Sequence, residues 1–573
     1  MTKKTLLLFC LLTFFCNAFS QTLSVREKIF MHFDKPEYVL GDTIWFKTYV
    51  VDALSQKPAA RSGIYYVELI NQEKDFVRRF NYHVVLGTSF GQIPTDTAFF
   101  KPGIYKVRAY TNWMQNFGDS LFYEKEVVIN DISIYNKWFL SMTRPEFKGD
   151  SVSVRLTFIN EANQPKRSQQ VNFLLEEGKH DALVKDNLLL DENGGVDIQF
   201  KLPGERKQRQ LFVSVSDPNT KQQFLKIPVN FKKPDIDLQF MPEGGHLVAG
   251  LNNKVGFKAI DQNGMGAGFQ AIVRDNTGKE VATIQPLFKG MGHFEFIPEA
   301  GKSYTAVITN SAKEYNLPAV DASGILLKVK KVQDKVQMLL NESNGSNHQY
   351  KVSINTRGYE IYAGNVQLTD GSAALMIPQN AFPSGVATFL LSDTKGALVS
   401  QRQIFIDNND ALNIQVATTE DQYGKRDSVA LKITVKDKEG RPVLGSFSLA
   451  VTDDGQVTKD ETKDENILSY LLLQSDLRGE IETPAYYFKK NDSAAEALDA
   501  LMLTQGFVSY NWDNAKFTFN AEPEYVVSGH VLNYFNKKKG MPNYGVSLYT
   551  YHGSTFRLKT ATDKDGYFVF KNI

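Results

Sequence analysis

The chain has 573 residues, of which 42% are hydrophobic and 23% are charged, and its formal net charge is +1. A net charge this small gives no overall electrostatic field to attract nucleic acid or an anionic membrane surface. Binding of either through the charge of the whole chain is therefore excluded. At roughly 100 to 150 residues per domain, the length predicts about four to six domains with separate cores.

The first twenty residues predict a signal peptide. Two lysines precede an apolar run over 6–15, and Ala18-Phe-Ser20 places small residues at the positions that signal peptidase reads. Cleavage is expected before Gln21. After this segment no apolar run approaches the ~18 to 20 residues that a membrane-spanning helix needs. We therefore predict an exported protein of the periplasm or of the outer membrane and cell surface, with no membrane span in the mature chain.

Cysteine use restricts the chemistry of the mature chain. The two cysteines, Cys10 and Cys16, both lie in the predicted signal peptide. Lipidation at Cys16 is a less favoured alternative, because the preceding Phe15 is large where a small residue is usual. A mature chain without cysteine excludes disulfides, thiolate catalysis and cysteine metal sites, so stability must come from core burial.

Two phrases recur along the chain. An opening phrase of an aromatic residue, Gly-Asp or its relic, and an alternating strand occupies 38–46, 147–154 and 423–431. A closing phrase places Pro and Gly ahead of another alternating strand, with its glycines at Gly103, Gly204, Gly301 and Gly385. The closing phrases recur at about the length of one β-sandwich, roughly 100 residues, which predicts sandwiches in tandem.

The alternating strands and turn residues divide the chain into successive units. We predict a signal peptide at 1–20, β-sandwiches at 21–130, 131–234, 235–332 and 333–410, a β-sandwich with two helices at 411–522, and a truncated small sandwich at 523–573. The helices are predicted from apolar spacing over 466–477 and from a capping box at Ser493-Ala-Ala-Glu496. Because 523–573 ends soon after a hairpin turn, we expect the natural chain to continue.

No local motif predicts catalysis or a metal site. The eight histidines are dispersed, and neither a nucleophile elbow nor a phosphate-binding loop is found. The acidic stretch over 453–465 lacks the spacing of a calcium loop and is interpreted as a solvated connection. Asp34, Asp42 and Asp150 lie at strand entries, where an aspartate caps backbone amides. We therefore predict no catalytic, cofactor-binding or metal-binding residue, and no cofactor.

The opening phrase of the first unit also resembles a known family. Asp34-Lys-Pro-Glu-Tyr38, the turn Leu40-Gly-Asp42 and the strand to Phe46 resemble the second macroglobulin domain (MG2) of the α2-macroglobulin family. The departure is Leu40-Gly-Asp42, where eukaryotic relatives usually have Pro-Gly-Gln. Four further segments are similar to Gram-negative envelope proteins in which macroglobulin-like domains precede a carboxypeptidase-regulatory-like sandwich and often a TonB-receptor plug domain: 242–245, 290–292, 471–484 and 498–506.

The resemblance implies a fold and a class of function. It implies an all-β chain of tandem macroglobulin-like or immunoglobulin-like antiparallel sandwiches, with a small helical insertion near 463–508 and the start of a regulatory-like sandwich at 523–573. It also implies a non-enzymatic, exported scaffold or binding protein of the cell envelope, with an envelope or outer-membrane protein as partner and an association with TonB-dependent transport.

Two other functions stay open. An endopeptidase inhibitor of α2-macroglobulin type would lack the thioester, since the mature chain has no cysteine, and would depend on a cleavable segment for which Thr452–Glu465 is the candidate. A protease would then be the partner. The third hypothesis is an enzyme whose site is assembled between domains, and no local motif favours it.

Overall fold

Paired strands occupy most of the chain. The computed structural model describes residues 26–571 except 72–73, 102, 131–137, 143–145, 149–150, 161–163, 178–180, 202–210, 222, 230–234, 263, 310–312, 453–463, 508–516 and 550–556. In this part of the chain almost all strand pairs are antiparallel, and the sheets face one another in twos around separate apolar cores. The predicted all-β class of tandem sandwiches is confirmed.

The first sandwich holds the largest group of buried aromatic residues. Its strands are β1 (Glu27–Phe33), β2 (Glu37–Val39), β3 (Thr43–Asp52), β4 (Ile64–Ile70), β5 (Phe76–His83), β6 (Thr88–Pro94), β7 (Gly103–Tyr110) and β8 (Tyr123–Asn130). The sheet β1-β3-β6 covers the sheet β2-β8-β7-β4-β5. Alternation places Ile44 and Phe46 of β3 inward, opposite Tyr65 and Val67 of β4, and all four are buried.

The second sandwich follows the same arrangement. Its strands are β9 (Phe139–Met142), β10 (Glu146–Lys148), β11 (Ser151–Ile159), β12 (Gln170–Glu177), β13 (Asp181–Leu189), β14 (Gly195–Lys201), β15 (Leu211–Ser216) and β16 (Gln223–Val229). One sheet is built around β11, and the other has the order β13-β12-β15-β16. Trp138 stacks on Phe224 inside the core, with ring centroids 4.6 Å apart, so this tryptophan is a packing residue.

The third and fourth sandwiches divide at a different residue from the predicted one. The third has β17 (Ile236–Pro242), β18 (Leu247–Val248), β19 (Asn253–Asp261), β20 (Ala271–Asp275), β21 (Glu280–Ile284), β22 (Met291–Phe296), β23 (Tyr304–Ile308), β24 (Glu314–Asn316) and β25 (Val320–Asp321). The fourth has β26 (Ile325–Val332), β27 (Lys335–Glu342), β28 (Gln349–Thr356), β29 (Tyr359–Gln367), β30 (Ser372–Pro378), β31 (Gly385–Ser392) and β32 (Leu398–Ile406).

The predicted and observed boundaries differ in the assignment of strand β26. The sequence prediction ended the third sandwich at 332, but β26 pairs with β27 and places Ile325, Leu327 and Val329 in the fourth core. The prediction is corrected here because alternation identifies a strand without identifying the sheet that it joins.

The four sandwiches share one plan for one of their two sheets. A middle strand pairs on one edge with an earlier strand and on the other edge with a strand that comes later in the chain. The middle strands are β3, β11, β19 and β27, and the later strands are β6, β14, β22 and β30. The later strand closes the edge of the sheet and adds inward side chains to the core.

The segment 413–451 starts this plan and does not complete it. Strand β33 (Asn413–Thr418) pairs with β34 (Leu431–Lys436), and a stretch without regular secondary structure over 443–451 follows. In the described part of 411–522 no further strand joins this hairpin, whereas a sandwich with two helices was predicted. We refer to 413–451 as the incomplete unit.

A helical block, defined as residues 464–507, follows the incomplete unit. Helix α1 (Ile467–Leu472) and helix α2 (Asp492–Thr504) flank short 3₁₀ turns, of which Pro484–Phe488 is the longest. The predicted helices exist, although α2 is capped by Asn491 rather than by Ser493. None of the helices in the described ranges is both long enough and apolar enough to cross a bilayer.

The last segment forms two small sheets of two strands each. Strands β35 (Val526–His530) and β38 (Tyr567–Lys571) pair with each other, as do β36 (Gly545–Tyr549) and β37 (Arg557–Ala561). The turn at Asp565-Gly566 follows prediction, with Gly566 at φ 81°. The assignment of 523–573 to a regulatory-like sandwich stays a prediction.

Candidate functional site

The opening-phrase aspartates bind backbone amides. Asp34 Oδ1 accepts a hydrogen bond of 3.1 Å from the Trp45 amide, and Asp42 Oδ2 accepts one of 3.0 Å from the Val39 amide. Gly41 between them has φ 96°, a conformation that a side chain would strain. Asp427 accepts from the Gly424 amide in the same way. The turn-capping interpretation is confirmed at these positions.

Neighbouring groups stabilise the ionised form of Asp42. Burial raises the pKa of Asp42, but the Lys35 ammonium at 2.7 Å and the Val39 amide outweigh it, so the pKa lies below its usual range. A carboxylate stabilised in this way is a poor general base. Gly149 and Asp150, which carry the second opening phrase, lie outside the described residues.

The histidines of the described residues do not converge on one site. His32 Nδ1 lies 2.7 Å from Ser448 Oγ, His246 pairs with Asp321, and His348 pairs with Glu342. Each pair belongs to a different part of the fold. Among the described residues no group of three His, Cys, Asp or Glu side chains is placed to hold a metal ion.

The helical block is the region where distant parts of the chain meet. Tyr470 of α1 enters the first core and packs against Phe30 and Tyr123, with centroid distances of 5.8 and 5.0 Å. Tyr486 stacks on Phe288 of the third sandwich at 3.9 Å, and Phe488 packs edge to face on Phe405 of the fourth. One block of forty-odd residues therefore contacts three sandwiches.

Helix α2 lies directly on the third sandwich. Its apolar face buries Leu501, Met502 and Leu503, together with Met291 of β22. A Cβ at Gly256 of β19 would lie 2.8 Å from the Leu503 Cβ, which is too close for any residue but glycine. The helix axis approaches the sheet closely because this strand offers no side chain there.

A buried ion network joins α2 to both neighbouring sandwiches. Arg402 of β32 is only 3% exposed, and its guanidinium contacts Glu243 Oε1 at 2.8 Å and Asp499 Oδ1 at 2.5 Å. Lys254 of β19 contacts the other oxygen of Asp499, also at 2.5 Å. The network thus links the third sandwich, the fourth sandwich and α2 through charge-assisted hydrogen bonds.

The network also fixes the charge of Asp499. Burial raises the pKa of this carboxyl, but the positive charges of Arg402 and Lys254 outweigh burial, and the pKa lies below its ordinary value. The arrangement is that of a structural ion network, which holds α2 on the two sandwiches, since every charged group in it faces an opposite charge.

A second buried pair joins the first sandwich to the block. Lys28 of β1 contacts Asp476 at 2.7 Å, and the two side chains are 11% and 12% exposed. Burial lowers the pKa of Lys28, and the nearby Arg357 and Arg26 lower it further, while Asp476 acts in the opposite direction. Arg26 also bonds to the Arg357 carbonyl oxygen, which brings the fourth sandwich into the same junction.

A cleft of about 980 Å³ lies beside the block, between it and the first and third sandwiches. Several of its charged lining residues are paired: Glu124 with Lys106 and Arg108, and Glu465 with Lys125. Lys289 and Glu482 form a further pair at 3.3 Å.

Two more segments of the C-terminal half return to the first sandwich. Ser448 of the incomplete unit hydrogen-bonds with Tyr49 and His32. A second segment, residues 517–525, runs along the same sandwich and is called the strap. Asn116 Oδ1 accepts hydrogen bonds of 2.8 Å from the Thr518 amide and from the Phe519 amide. The units are therefore not a linear string, because the first sandwich binds segments from beyond residue 440.

Sequence reasoning missed the residues of these junctions. Arg402 is the one charged residue of β32, and Asp499 lies between Leu498 and Ala500 on α2. A charged residue on a face that the pattern predicts to be buried was the available signal, since such a residue usually has a partner. The identity of the partner depends on packing between units that are far apart in sequence.

No family model and no curated protein matches the chain. Among solved structures it is similar to the trypsin-activated α2-macroglobulin of Escherichia coli, with 12% identity over 96% of this chain and 39% of that chain and a TM-score of 0.33. The native form of the E. coli protein has 13% identity over 97% and 38%, with a TM-score of 0.32. The methylamine-reacted Salmonella α2-macroglobulin has 12% identity over 95% and 37%, with a TM-score of 0.29.

The chain thus spans less than two fifths of the length of each of these macroglobulins. Likeness at this level carries no statement about activity. The sandwich architecture stands on the sheets described above.

Proposed function

We propose that the chain is a non-enzymatic, exported, macroglobulin-like scaffold or binding protein of the cell envelope. The observation that supports this best is the helical block, which joins three sandwiches through aromatic packing and through the pairs Arg402–Asp499 and Lys28–Asp476. Buried and mutually satisfied charges fix relative positions more than they add stability, which suits a rigid arm. The proposed partner is an envelope or outer-membrane protein, including one of TonB-dependent transport.

The partner is tested by affinity purification of the tagged, exported chain from solubilised outer membranes. The expected result is co-purification of a specific outer-membrane protein at a constant ratio. A variant with Arg402→Leu serves as the control for rigidity, since it should retain the chain's export and weaken the complex. Recovery of the chain only as a free monomer without an envelope partner would contradict the proposal.

A second candidate is a protease inhibitor of macroglobulin type without a thioester. It is supported by the two flanks of the segment 453–463, which are both held on the first sandwich. Ser448 bonds to Tyr49 before the segment, and Glu465 lies 3.0 Å from the Tyr123 hydroxyl after it. Cleavage between two fixed ends would release strain or contacts across the junction, and this is the step that an inhibitor needs.

Incubation with several endopeptidases, followed by small-angle scattering, separates the two candidates. An inhibitor predicts cleavage within 452–465, a change in the radius of gyration and a loss of protease activity toward large substrates. Cleavage with unchanged scattering and full protease activity would remove this candidate and leave the scaffold proposal intact.

A further inference from the structure

The terminal unit, defined as residues 526–571, is strongly basic. It has seven lysines and arginines and two aspartates, so it carries five positive charges, whereas the whole chain has a formal net charge of +1. The remaining residues together are therefore net acidic. Such a separation of charge within one chain indicates a local contact with an anionic partner.

The loop between β35 and β36 carries the densest part of this charge. Lys537, Lys538 and Lys539 are the one run of three consecutive basic residues in the sequence, and all three are exposed. In the part of the chain that the structure describes, none of them forms an ion pair. The stretch 531–541 has no acidic residue of its own. These ammonium groups are therefore open to an external anion.

Two aromatic side chains protrude beside the lysines. Tyr534 is 86% exposed and Phe535 is 93% exposed, and their rings meet edge to face with centroids 5.2 Å apart. Phenylalanine is among the residue types most often buried, so a pair of exposed rings next to three lysines indicates a contact surface. We refer to residues 533–539 as the basic tip.

Hydrogen bonds within the loop hold the basic tip in a defined shape. Asn533 Oδ1 accepts a hydrogen bond of 3.0 Å from the Phe535 amide, and the Asn533 amide donates one of 2.9 Å to the Lys539 carbonyl oxygen. A Cβ at Gly540 would lie 1.9 Å from the Asp565 carbonyl oxygen, so the base of the loop packs on the turn at 563–566. The rings and the lysines are thus presented together, beyond this turn.

The shape of the basic tip favours a lipid surface over other anionic partners. The tip is convex, whereas small ligands bind in concave sites. Two rings at a right angle give no parallel platform for stacked bases, which is how single-stranded nucleic acid is bound. At a membrane surface, by contrast, aromatic rings lie at the level of the headgroups and lysines are attracted to anionic lipids.

The charge of neighbouring segments disfavours a cover made by the chain itself. The segments 508–516 and 550–556, the nearest in sequence that lie outside the described residues, carry no net negative charge. A cover of this composition would bury three ammonium groups without opposite charges, and such burial is costly. An anionic surface removes this cost.

We propose that the basic tip binds the surface of an anionic phospholipid membrane. The three ammonium groups contact lipid phosphates, and Tyr534 and Phe535 enter the headgroup region without crossing the bilayer. The strap, which is hydrogen-bonded to the first sandwich, leads into β35, so the tip attaches the sandwiches to the membrane. The inference goes beyond the proposed function, because it names a lipid and requires no protein partner.

Flotation of the full chain with phospholipid vesicles tests the basic tip. Vesicles that contain phosphatidylglycerol in phosphatidylcholine are compared with vesicles of phosphatidylcholine alone, at low and at high salt. The lysine variant combines Lys537→Ser, Lys538→Ser and Lys539→Ser. The aromatic variant combines Tyr534→Ser and Phe535→Ser. Because these side chains are exposed, both variants should keep the thermal unfolding of the parent.

The matched control removes the same charge from another exposed part of the chain. It combines Lys425→Ser, Lys432→Ser and Lys436→Ser in the incomplete unit, where all three lysines are exposed. A further variant, Phe535→Trp, reports position, since brominated lipid quenches a tryptophan that enters the headgroup region.

The expected result is binding to the anionic vesicles that weakens as salt is added, with little binding to the neutral ones. Each basic residue near an anionic surface strengthens binding roughly fivefold, so the lysine variant should bind at least about tenfold more weakly and the control should stay within about twofold of the parent. The aromatic variant should also bind more weakly, and brominated lipid should quench Phe535→Trp more than the parent.

Four results would overturn the proposal. The first is no binding of the parent to anionic vesicles, and the second is binding kept in either tip variant or lost equally in the control. The third is binding of duplex DNA as tight as that of vesicles and unchanged in the aromatic variant, which would assign the tip to nucleic acid. The fourth is slower acetylation of the tip lysines than of the control lysines in the free protein, which would mean that the chain covers the tip.

The vesicle measurement is independent of the envelope partner. A failure of lipid binding would leave co-purification of an outer-membrane protein as the separate test of the scaffold proposal, and a failure of co-purification would leave the lipid measurement unaffected.

Discussion

The first sandwich and the incomplete unit begin with the same opening phrase and end differently. In the first, Asp42 caps the turn, β3 is closed by β6, and the core receives Tyr470 from a distant helix. In the incomplete unit Asp427 caps the corresponding turn, but no later strand pairs with β34 among the described residues, and Ile433 is 45% exposed. Hydrogen bonds between neighbouring residues are enough to form the first pair of strands. A buried core forms only where later strands pair with them.

The two regions also hold their charges differently. Arg402, at the junction beside the helical block, is enclosed between Glu243 and Asp499. Arg441, in the turn of the incomplete unit, is 74% exposed and pairs with Asp437 four residues earlier. When one partner of a buried ion pair is removed, no water reaches the charge that remains. At the surface, water solvates the remaining charge.

The largest expected effect comes from Arg402→Leu. Removal of the guanidinium leaves the Glu243 carboxylate buried without its partner, which costs about 3 to 5 kcal/mol. Arg441→Leu should change stability by less than ~1 kcal/mol. Urea titration followed by hydrogen exchange of α2 measures both. Equal midpoints for the two variants would show that the junction does not depend on the buried network.

Ile44→Ala and Ile433→Ala compare the two middle strands directly. Ile44 is fully buried, and a large-to-small change at such a site costs about 2 to 5 kcal/mol. Ile433 is half exposed, so its replacement should cost less than ~1 kcal/mol in the free chain. Thermal unfolding of the two variants measures the difference. A similar loss at Ile433 would mean that the incomplete unit is covered in solution.

Asn116→Ala tests how the strap is held. Its side chain receives the Thr518 and Phe519 amides and donates to the Phe519 carbonyl oxygen at 2.8 Å. Loss of these bonds should cost about 1 to 3 kcal/mol locally, seen as faster proteolysis over 517–525. Asn81→Ala, on β5 of the same sandwich, is the control and should leave the strap unchanged. Faster cleavage in both variants would point to general destabilisation.

The smallest expected effect is on pH dependence. Because the pKa of Asp499 is lowered in the fold, its contribution to stability is complete above the ordinary value of 3.8 and is lost as the pH falls below that value. Asp499→Asn should therefore lose less stability than the parent between pH 4 and pH 2. The slopes are compared by acid titration with α2 exchange as the signal. Identical slopes would contradict the assigned role of Asp499.

The sequence predicted the parts of the fold that depend on neighbouring residues. Turn capping by Asp42, the strands around it and the two helices follow from spacing and local hydrogen bonding. The assignment of β26 to the third sandwich was wrong, because the pairing partner of a strand is set by non-local contacts. The lack of a closing strand for the incomplete unit among the described residues was also not foreseen, since the apolar alternation of this unit is the same as that of a complete sandwich.

The candidate junctions could not be predicted for a related reason. Lys28 and Asp476 meet across more than four hundred residues, and the spacing of neither predicts the other. A buried lysine becomes recognisable only once its surroundings are known, because the same residue on an exposed strand is an ordinary surface charge. The resemblance of segments 471–484 and 498–506 includes Asp476 and Asp499 but does not identify their partners.

The entry of Tyr470 into the first core has a consequence for the order of folding. Tyr123 and Glu465 lie 342 residues apart in sequence and touch in the finished protein. During synthesis the sequence of the N-terminal sandwich is therefore complete long before Tyr470, the last aromatic residue of its core, is available. Contacts of such high sequence separation slow folding and prolong the life of partly folded states. The first sandwich is the first to be made and among the last to be finished.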